Sequence, residues 1–165
     1  MPEHASSEEN LGPHAIEMDE WIDCAPFERH LGISISEAVN GAATLTMPFH
    51  RELSQGFGLM HGGALVSLAD TAVVMAIKSL LAPGSRFATT RIEVNYLKPV
   101  TRGTVTASAR ITHSEGRDLF GICEVIGEET GPVLTSNCIF RIARDVDMSC
   151  LDKVGRSTKK APGNR

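Results

Sequence analysis

The chain has 165 residues, 42% of them apolar and 22% charged, which suffices for one domain with its own core and leaves little for a second. Sixteen basic against 20 acidic residues give a net charge of −4, so no broad cationic field is available for nucleic acid or an anionic membrane. At 5% aromatic residues the chain also lacks a base-stacking platform. Cys24, Cys123, Cys138 and Cys150 form neither a C-x-x-C pair nor a Cys/His ligand spacing, so no disulfide frame and no metal site are expected. Met1-Pro2-Glu3-His4-Ala5 has neither the basic start nor the apolar run of a signal peptide, and the expected location is the cytoplasm.

Residues 1–29 read as an acidic arm with no Lys or Arg before Arg29, and a short amphipathic helix is expected between Pro13 and Arg29, docking Ile16, Trp21, Ile22 and Phe27. Leu31, Ile33 and Ile35 then alternate with Gly32, Ser34 and Ser36, the period of a half-buried strand. Asn40-Gly41 marks a hairpin turn into a second alternation through Ala43, Leu45, Met47 and Phe49. A long apolar helix is expected over 63–81, stopped by Ala82-Pro83-Gly84. It is too short, and with Asp70 and Lys78 too polar, for a membrane span, so it reads as buried nearly all round. Four strands follow, near 87–98, 104–112, 118–127 and 133–144, with turn chemistry at Ser114-Glu115-Gly116-Arg117 and Glu129-Thr130-Gly131-Pro132. The order β-β-α-β-β-β-β implies an α+β fold, an antiparallel sheet curled around one helix over residues 30–144. Residues 145–165 lose periodicity and read as a mostly solvated tail.

Asp70 is out of place in this pattern. A carboxylate in the middle of the most apolar helix is costly unless it is paired, hydrogen-bonded or neutralised, and the nearest cation on the helix is Lys78, eight positions on. It is either a satisfied polar group at a packing contact or a pocket-facing base or nucleophile. Just upstream, Gln55-Gly56-Phe57-Gly58-Leu59-Met60-His61-Gly62-Gly63 runs into the helix start, where free N–H groups and the helix dipole suit an oxyanion or a polarised carbonyl. Gly62 and Gly63 admit a ligand close to the backbone, and Gln55 adds a side-chain amide donor.

The run QGFGLMHGGALVSLADTA, Gln55 through Ala72, resembles the signature of hotdog-fold acyl-CoA thioesterases of the phenylacetate-degradation (PaaI-type) group, within the 4-hydroxybenzoyl-CoA thioesterase superfamily. Arg91-Ile92-Glu93-Val94-Asn95-Tyr96-Leu97-Lys98-Pro99 resembles the family's third strand, and the likeness covers roughly residues 30–144. The resemblance implies a curved antiparallel sheet wrapping one long helix, and a homodimer with active sites at its seam, paired into a homotetramer. It implies hydrolysis of an aryl- or medium-chain acyl-CoA, with coenzyme A as part of the substrate and no resident cofactor. Gly62 would polarise the thioester carbonyl through its N–H, Gln55 would assist, and Asp70 would act as general base or nucleophile from the opposite subunit. Thr89 aligns with a hydroxyl that places water in some relatives, and Val74 stands where certain aryl-CoA members carry a hydroxyl. His61 sits at a position that mostly shapes the loop, with a proton-transfer role as the alternative. The family's CoA path corresponds to Gly63, Tyr96, Lys98, Ser114, Gly116 and Arg117, with Lys98 and Arg117 as cations for its phosphates. Phe57, Leu59, Met60, Val73 and Ile77 are the expected acyl-pocket lining.

Two other functions fit the same fold. Hydration or dehydration of an acyl thioester would want a His followed about fourteen positions later by a carboxylate, whereas His61 and Asp70 are nine apart. A non-catalytic acyl-CoA-binding regulator would carry a DNA-binding helix-turn-helix ahead of the domain, and the acidic first thirty residues supply none.

Overall fold

The Asn40-Gly41 turn takes the geometry its residues favour. Asn40 lies at φ +50° and Gly41 at +78°, the paired left-handed residues of a type I′ turn. It joins β1 (Ser34–Val39) to β2 (Ala42–Pro48) in this computed structural model, which describes residues 12–153. A loop then leads into α2 (Gly62–Lys78), preceded near the N-terminus by the five-residue α1 (Pro26–His30). The strands β3 (Phe87–Tyr96), β4 (Thr104–Glu115), β5 (Asp118–Gly127) and β6 (Gly131–Ile142) complete the fold. All six lie in one antiparallel sheet ordered β1-β2-β4-β5-β6-β3. The α+β class and the element order follow the sequence reading; strand ends differ by a few residues.

Helix and sheet enclose the core between them. Val105, Ala107 and Ala109 on β4, Leu119, Cys123 and Val125 on β5, and Phe140 and Ile142 on β6 are buried together with Leu68, Ala72, Val73, Met75 and Ala76 of α2. Gly121 of β5 sets the closeness of that packing, because a Cβ there would lie 2.5 Å from Val73 Cγ1. Cys123 and Cys138 are core residues, and burial pushes their thiols up to about 12 and about 11.

The expectation of a helix buried all round is corrected. Gly62, Gly63, Val66, Ser67, Asp70, Val74 and Lys78 are all partly or fully exposed, at the three- and four-residue spacing of one helical stripe. The sheet covers only the opposite side. Trp21 caps one end of this stripe, donating Nε1–H to Lys78 O at 2.9 Å while the Lys78 ammonium lies 4.9 Å from its ring centroid.

The amphipathic helix expected between Pro13 and Arg29 is also corrected: regular helix begins only at Pro26. Ala25 is held extended before the proline, and the Asp23 carboxylate accepts the Cys24 N–H at 2.7 Å, a local turn that competes with helix. Of the expected docking residues, Trp21 and Ile22 pack, while Ile16 and Phe27 are exposed. Leu31 and Ile33 are buried as their alternation requires, but they lie before β1, where Leu31 caps α1. Beyond β6 the chain keeps packing: Val146 and Met148 contact the core and Leu151, in a 3-10 turn over Ser149–Lys153, is 4% exposed. The acidic residues of 1–11 and the basic end of the tail, 154–165, lie outside the described residues. No helix among the described residues is long and apolar enough to cross a membrane.

Candidate active site

The loop before α2 is pinned by its own backbone. His61 donates its N–H to Leu53 O at 2.7 Å, Gln55 to Leu59 O at 2.8 Å, and Met60 to Val100 O at 2.9 Å, which ties the loop to the connection after β3. Gly58, at φ +81°, makes the tight turn. The Gln55 side chain accepts the Phe57 N–H through Oε1, so its amide nitrogen is the end left to donate.

His61 is the N-cap of α2, and its Nδ1 accepts the Gly63 N–H at 2.9 Å. The Ala64 and Leu65 N–H groups bond to His61 O. Of the first helical donors, Gly62 N–H is therefore left without an acceptor among the described residues. Gly63, expected on the CoA path, has its donor already engaged by the cap. Tyr96 Oη donates to Gly62 O at 3.1 Å and sits where a Gly62 Cβ would come within 3.0 Å of it. The free N–H borders a cleft of about 360 Å³ lined by Gln55, Leu59, Gly62, Leu65, Tyr96 and Lys98, among others. Lys98 leans on Thr130 O at 3.2 Å.

Asp70 lies elsewhere. Thr89 Oγ1 on β3 is 3.0 Å from its Oδ1 and 3.3 Å from Oδ2, a donor that the sequence around Asp70 does not announce. Burial holds the Asp70 carboxyl above the ordinary aspartate range; the Thr89 hydrogen bond opposes this and the Glu28 carboxylate adds to it. A bulge between Thr89 and Arg91 leaves Thr90 out of register, as is common where a strand re-aims side chains beside a site. Asp70 lies eight positions after Gly62 on the helix, about 12 Å along the axis. Within one chain the two cannot meet at one carbonyl.

The expected residues thus fall into three places. Gln55, Gly62, Tyr96 and Lys98 share the cleft; Asp70 and Thr89 pair two turns away; Ser114, Gly116 and Arg117 sit at the β4–β5 turn. There the Arg117 guanidinium donates to the carbonyls of Arg144 and Val146. Leu59 and Met60 line the cleft as expected, but Val73 and Ile77 do not: both are wholly buried against the sheet, because they lie on the core side of α2. Phe57 is 94% exposed at the loop tip. Pro99 and Val100 line the cleft without any signal in the strand pattern, since only tertiary pairing with Met60 brings them there.

This geometry can be compared with known proteins. A sequence model described as the thioesterase superfamily matches residues 57–133. ComA2 of Bacillus subtilis is 30% identical over 115 residues, 69% of this chain and 91% of ComA2. The acyl-coenzyme A thioesterase PaaI of Escherichia coli is 36% identical over 84 residues, 50% of this chain and 58% of PaaI. The solved structure of E. coli PaaI superposes with a TM-score of 0.66 at 26% identity, covering 72% of this chain and 85% of that one. The chain spans about three fifths of the length of several curated relatives it matches. It resembles the PaaI-type members and has their hotdog fold, and it belongs to the thioesterase superfamily.

Proposed function

We propose that this protein hydrolyses an aryl- or medium-chain acyl-CoA thioester to the free acid and CoA, at a site shared by two copies of the chain. The observation that carries the reading is the separation of the unpaired Gly62 N–H from the Asp70 carboxylate along an open helix stripe. A second copy supplies the missing half. β3 is a ten-residue edge strand with one side unpaired, and such edges are normally covered. Antiparallel pairing with its own copy, about a two-fold midway between Thr89 and Tyr96, brings Tyr96 of one chain beside Thr89 of the other. Asp70 of one copy then faces Gly62 of the other. Tyr96 and Leu97, half exposed in the single chain, lie where that pairing would cover them. The name of E. coli PaaI supports acyl-CoA as the substrate class.

In this arrangement the thioester carbonyl oxygen accepts the Gly62 N–H and the Gln55 amide, donors placed for the charge that develops on it. Asp70 takes a proton from water as the oxygen attacks the carbonyl carbon, or attacks that carbon itself to give, once the thiolate has left, a mixed anhydride that water then cleaves to the free acid and the Asp70 carboxylate; Thr89 holds the carboxylate. Collapse of the tetrahedral oxyanion breaks the C–S bond, and the CoA thiolate takes up a proton. His61 shapes the donor set through its cap and transfers no proton. Two such dimers pair into the homotetramer.

Mixing two inactive variants tests this. Asp70→Asn and Gly62→Pro homodimers each lack one component at both sites. After subunit exchange, half the dimers are mixed and each holds one intact site, giving about a quarter of wild-type thiol release. No recovery after demonstrated exchange, or a wild-type chain that releases thiol from no acyl-CoA, overturns the proposal.

A further inference from the structure

Among the described residues one buried side-chain oxygen has no hydrogen-bond partner, Oε2 of Glu28. An unpaired buried carboxylate oxygen is costly, and folded chains rarely keep one without a use for it. The cations beside it are engaged elsewhere: Arg29 pairs with Asp23 at 2.7 Å, and the Lys78 ammonium rests over the Trp21 ring. The backbone that carries Glu28 is braced. Ile33 donates its N–H to Glu28 O at 3.0 Å, and the Cys24 thiol reaches Ile33 O at 3.5 Å.

This braced segment runs along the side of α2 that the sheet leaves open. Trp21 sits on Lys78 at the end of the stripe, and the α2 side chains that feel the Glu28 charge are Lys78 and Asp70. Asp23, Cys24 and Arg29 are the titratable and charged groups beside Glu28 on its own segment. The hydroxyls of Thr89 and Ser67 are already spent, on the Asp70 carboxylate and on Gly63 O at 2.8 Å, and Val74, one turn beyond Asp70, carries none. An acceptor for a second hydrogen beside Asp70 is therefore supplied by α1.

We infer that Glu28 is a second catalytic carboxylate, which holds the attacking water against Asp70 by accepting one of its hydrogens at Oε2. The inference rests on the hydrolytic reading above, in the route where Asp70 activates water. There the water oxygen forms its bond to the thioester carbon while one proton passes to Asp70. The hydrogen directed at Glu28 stays on that oxygen and leaves in the acid product; the proton on Asp70 passes to the departing thiolate. With both hydrogens engaged, the water turns a lone pair towards the carbonyl carbon, the orientation that attack requires. Glu28 moves no proton and fixes the nucleophile.

Two substitutions separate the acceptor from the charge. Glu28→Gln keeps an oxygen at that place and loses the charge, whereas Glu28→Ala loses both. On saturating acyl-CoA, Glu28→Ala should lower kcat about 10- to 100-fold with KM within about twofold, and Glu28→Gln should stay within about fivefold of wild type. Both should move the acid limb of the pH–rate profile to lower pH, because the Glu28 charge helps to hold the Asp70 carboxyl up. Glu28→Leu, of similar size and with no acceptor, repeats the comparison should alanine loosen the segment. Wild-type kcat in the alanine or leucine variant overturns the inference, whatever its melting temperature. Equal loss in the glutamine and alanine variants also does so, since it removes the acceptor from the explanation. Loss confined to acyl groups that carry a hydroxyl or an amine would turn Oε2 towards the acyl group and likewise overturn it. An enzyme that Asp70→Asn silences and Glu28→Ala leaves intact loses this carboxylate and remains a hydrolase; a wild type that hydrolyses no acyl-CoA loses both.

Discussion

Gly62→Pro isolates one hydrogen atom. Gly62 is the first helical residue of α2, where proline's missing N–H leaves no helical bond unmade and its fixed φ suits the helix. The preceding His61 lies at φ −64° and ψ 132°, the extended conformation that a following proline demands. The substitution should therefore fold, with a melting temperature equal to wild type or a few degrees higher from reduced freedom in the unfolded chain. What it removes is an unpaired backbone donor beside the cleft. Loss of a single oxyanion donor costs about 10²- to 10³-fold in kcat, or about 2.7–4 kcal/mol. The new side chain also approaches Tyr96, whose Oη would lie 3.0 Å from a Cβ, so Gly62→Ala is the matched control. It makes the same contact and keeps the N–H. The alanine variant loses only what displacing Tyr96 from its bond to Gly62 O costs, so it should be the less damaged of the two. Thiol release on saturating acyl-CoA, with thermal melts on the same samples, decides. Equal rates for the proline and alanine variants would show that Gly62 N–H polarises nothing.

Asp70→Asn should lower kcat about 10²- to 10⁴-fold while helping the fold. Because burial raises the folded-state pKa of Asp70, the folded chain holds a proton that the unfolded chain has lost between the ordinary aspartate pKa and the raised one. Stability falls as pH rises through that window, and asparagine is spared the fall. The melting-temperature difference between variant and wild type should accordingly be more favourable to the variant at about pH 7 than at about pH 3; equal differences would contradict the assigned shift. Thr89→Val removes the hydrogen bond that opposes the shift, so the acid limb of the pH–rate profile should move to higher pH, and an unmoved limb would separate Thr89 from Asp70 function. Gly121→Ala forces a Cβ to 2.5 Å from Val73, and chemical denaturation should show a loss of about 1–3 kcal/mol; a neutral result would mean that α2 can lift from β5.

The sequence by itself determined the element order, the I′ turn at Asn40-Gly41 and the face of β4 that meets the helix, because each rests on local periodicity or on backbone freedom. It also singled out Asp70 and the glycine-rich loop, since a lone carboxylate in an apolar run and glycines at a helix start are legible without coordinates. Only the tertiary structure decided what they touch. Thr89 meets Asp70 across nineteen residues, and Val100 meets Met60 across forty, pairings that no local spacing encodes. The same holds for the open stripe on α2. Hydropathy marked the whole helix as buried, but one curved sheet covers one side of a cylinder, and the uncovered side is where Asp70 lies. Val73 and Asp70 are three residues apart on that helix; the geometry of the cover, more than residue type, put one in the core and left the other facing out.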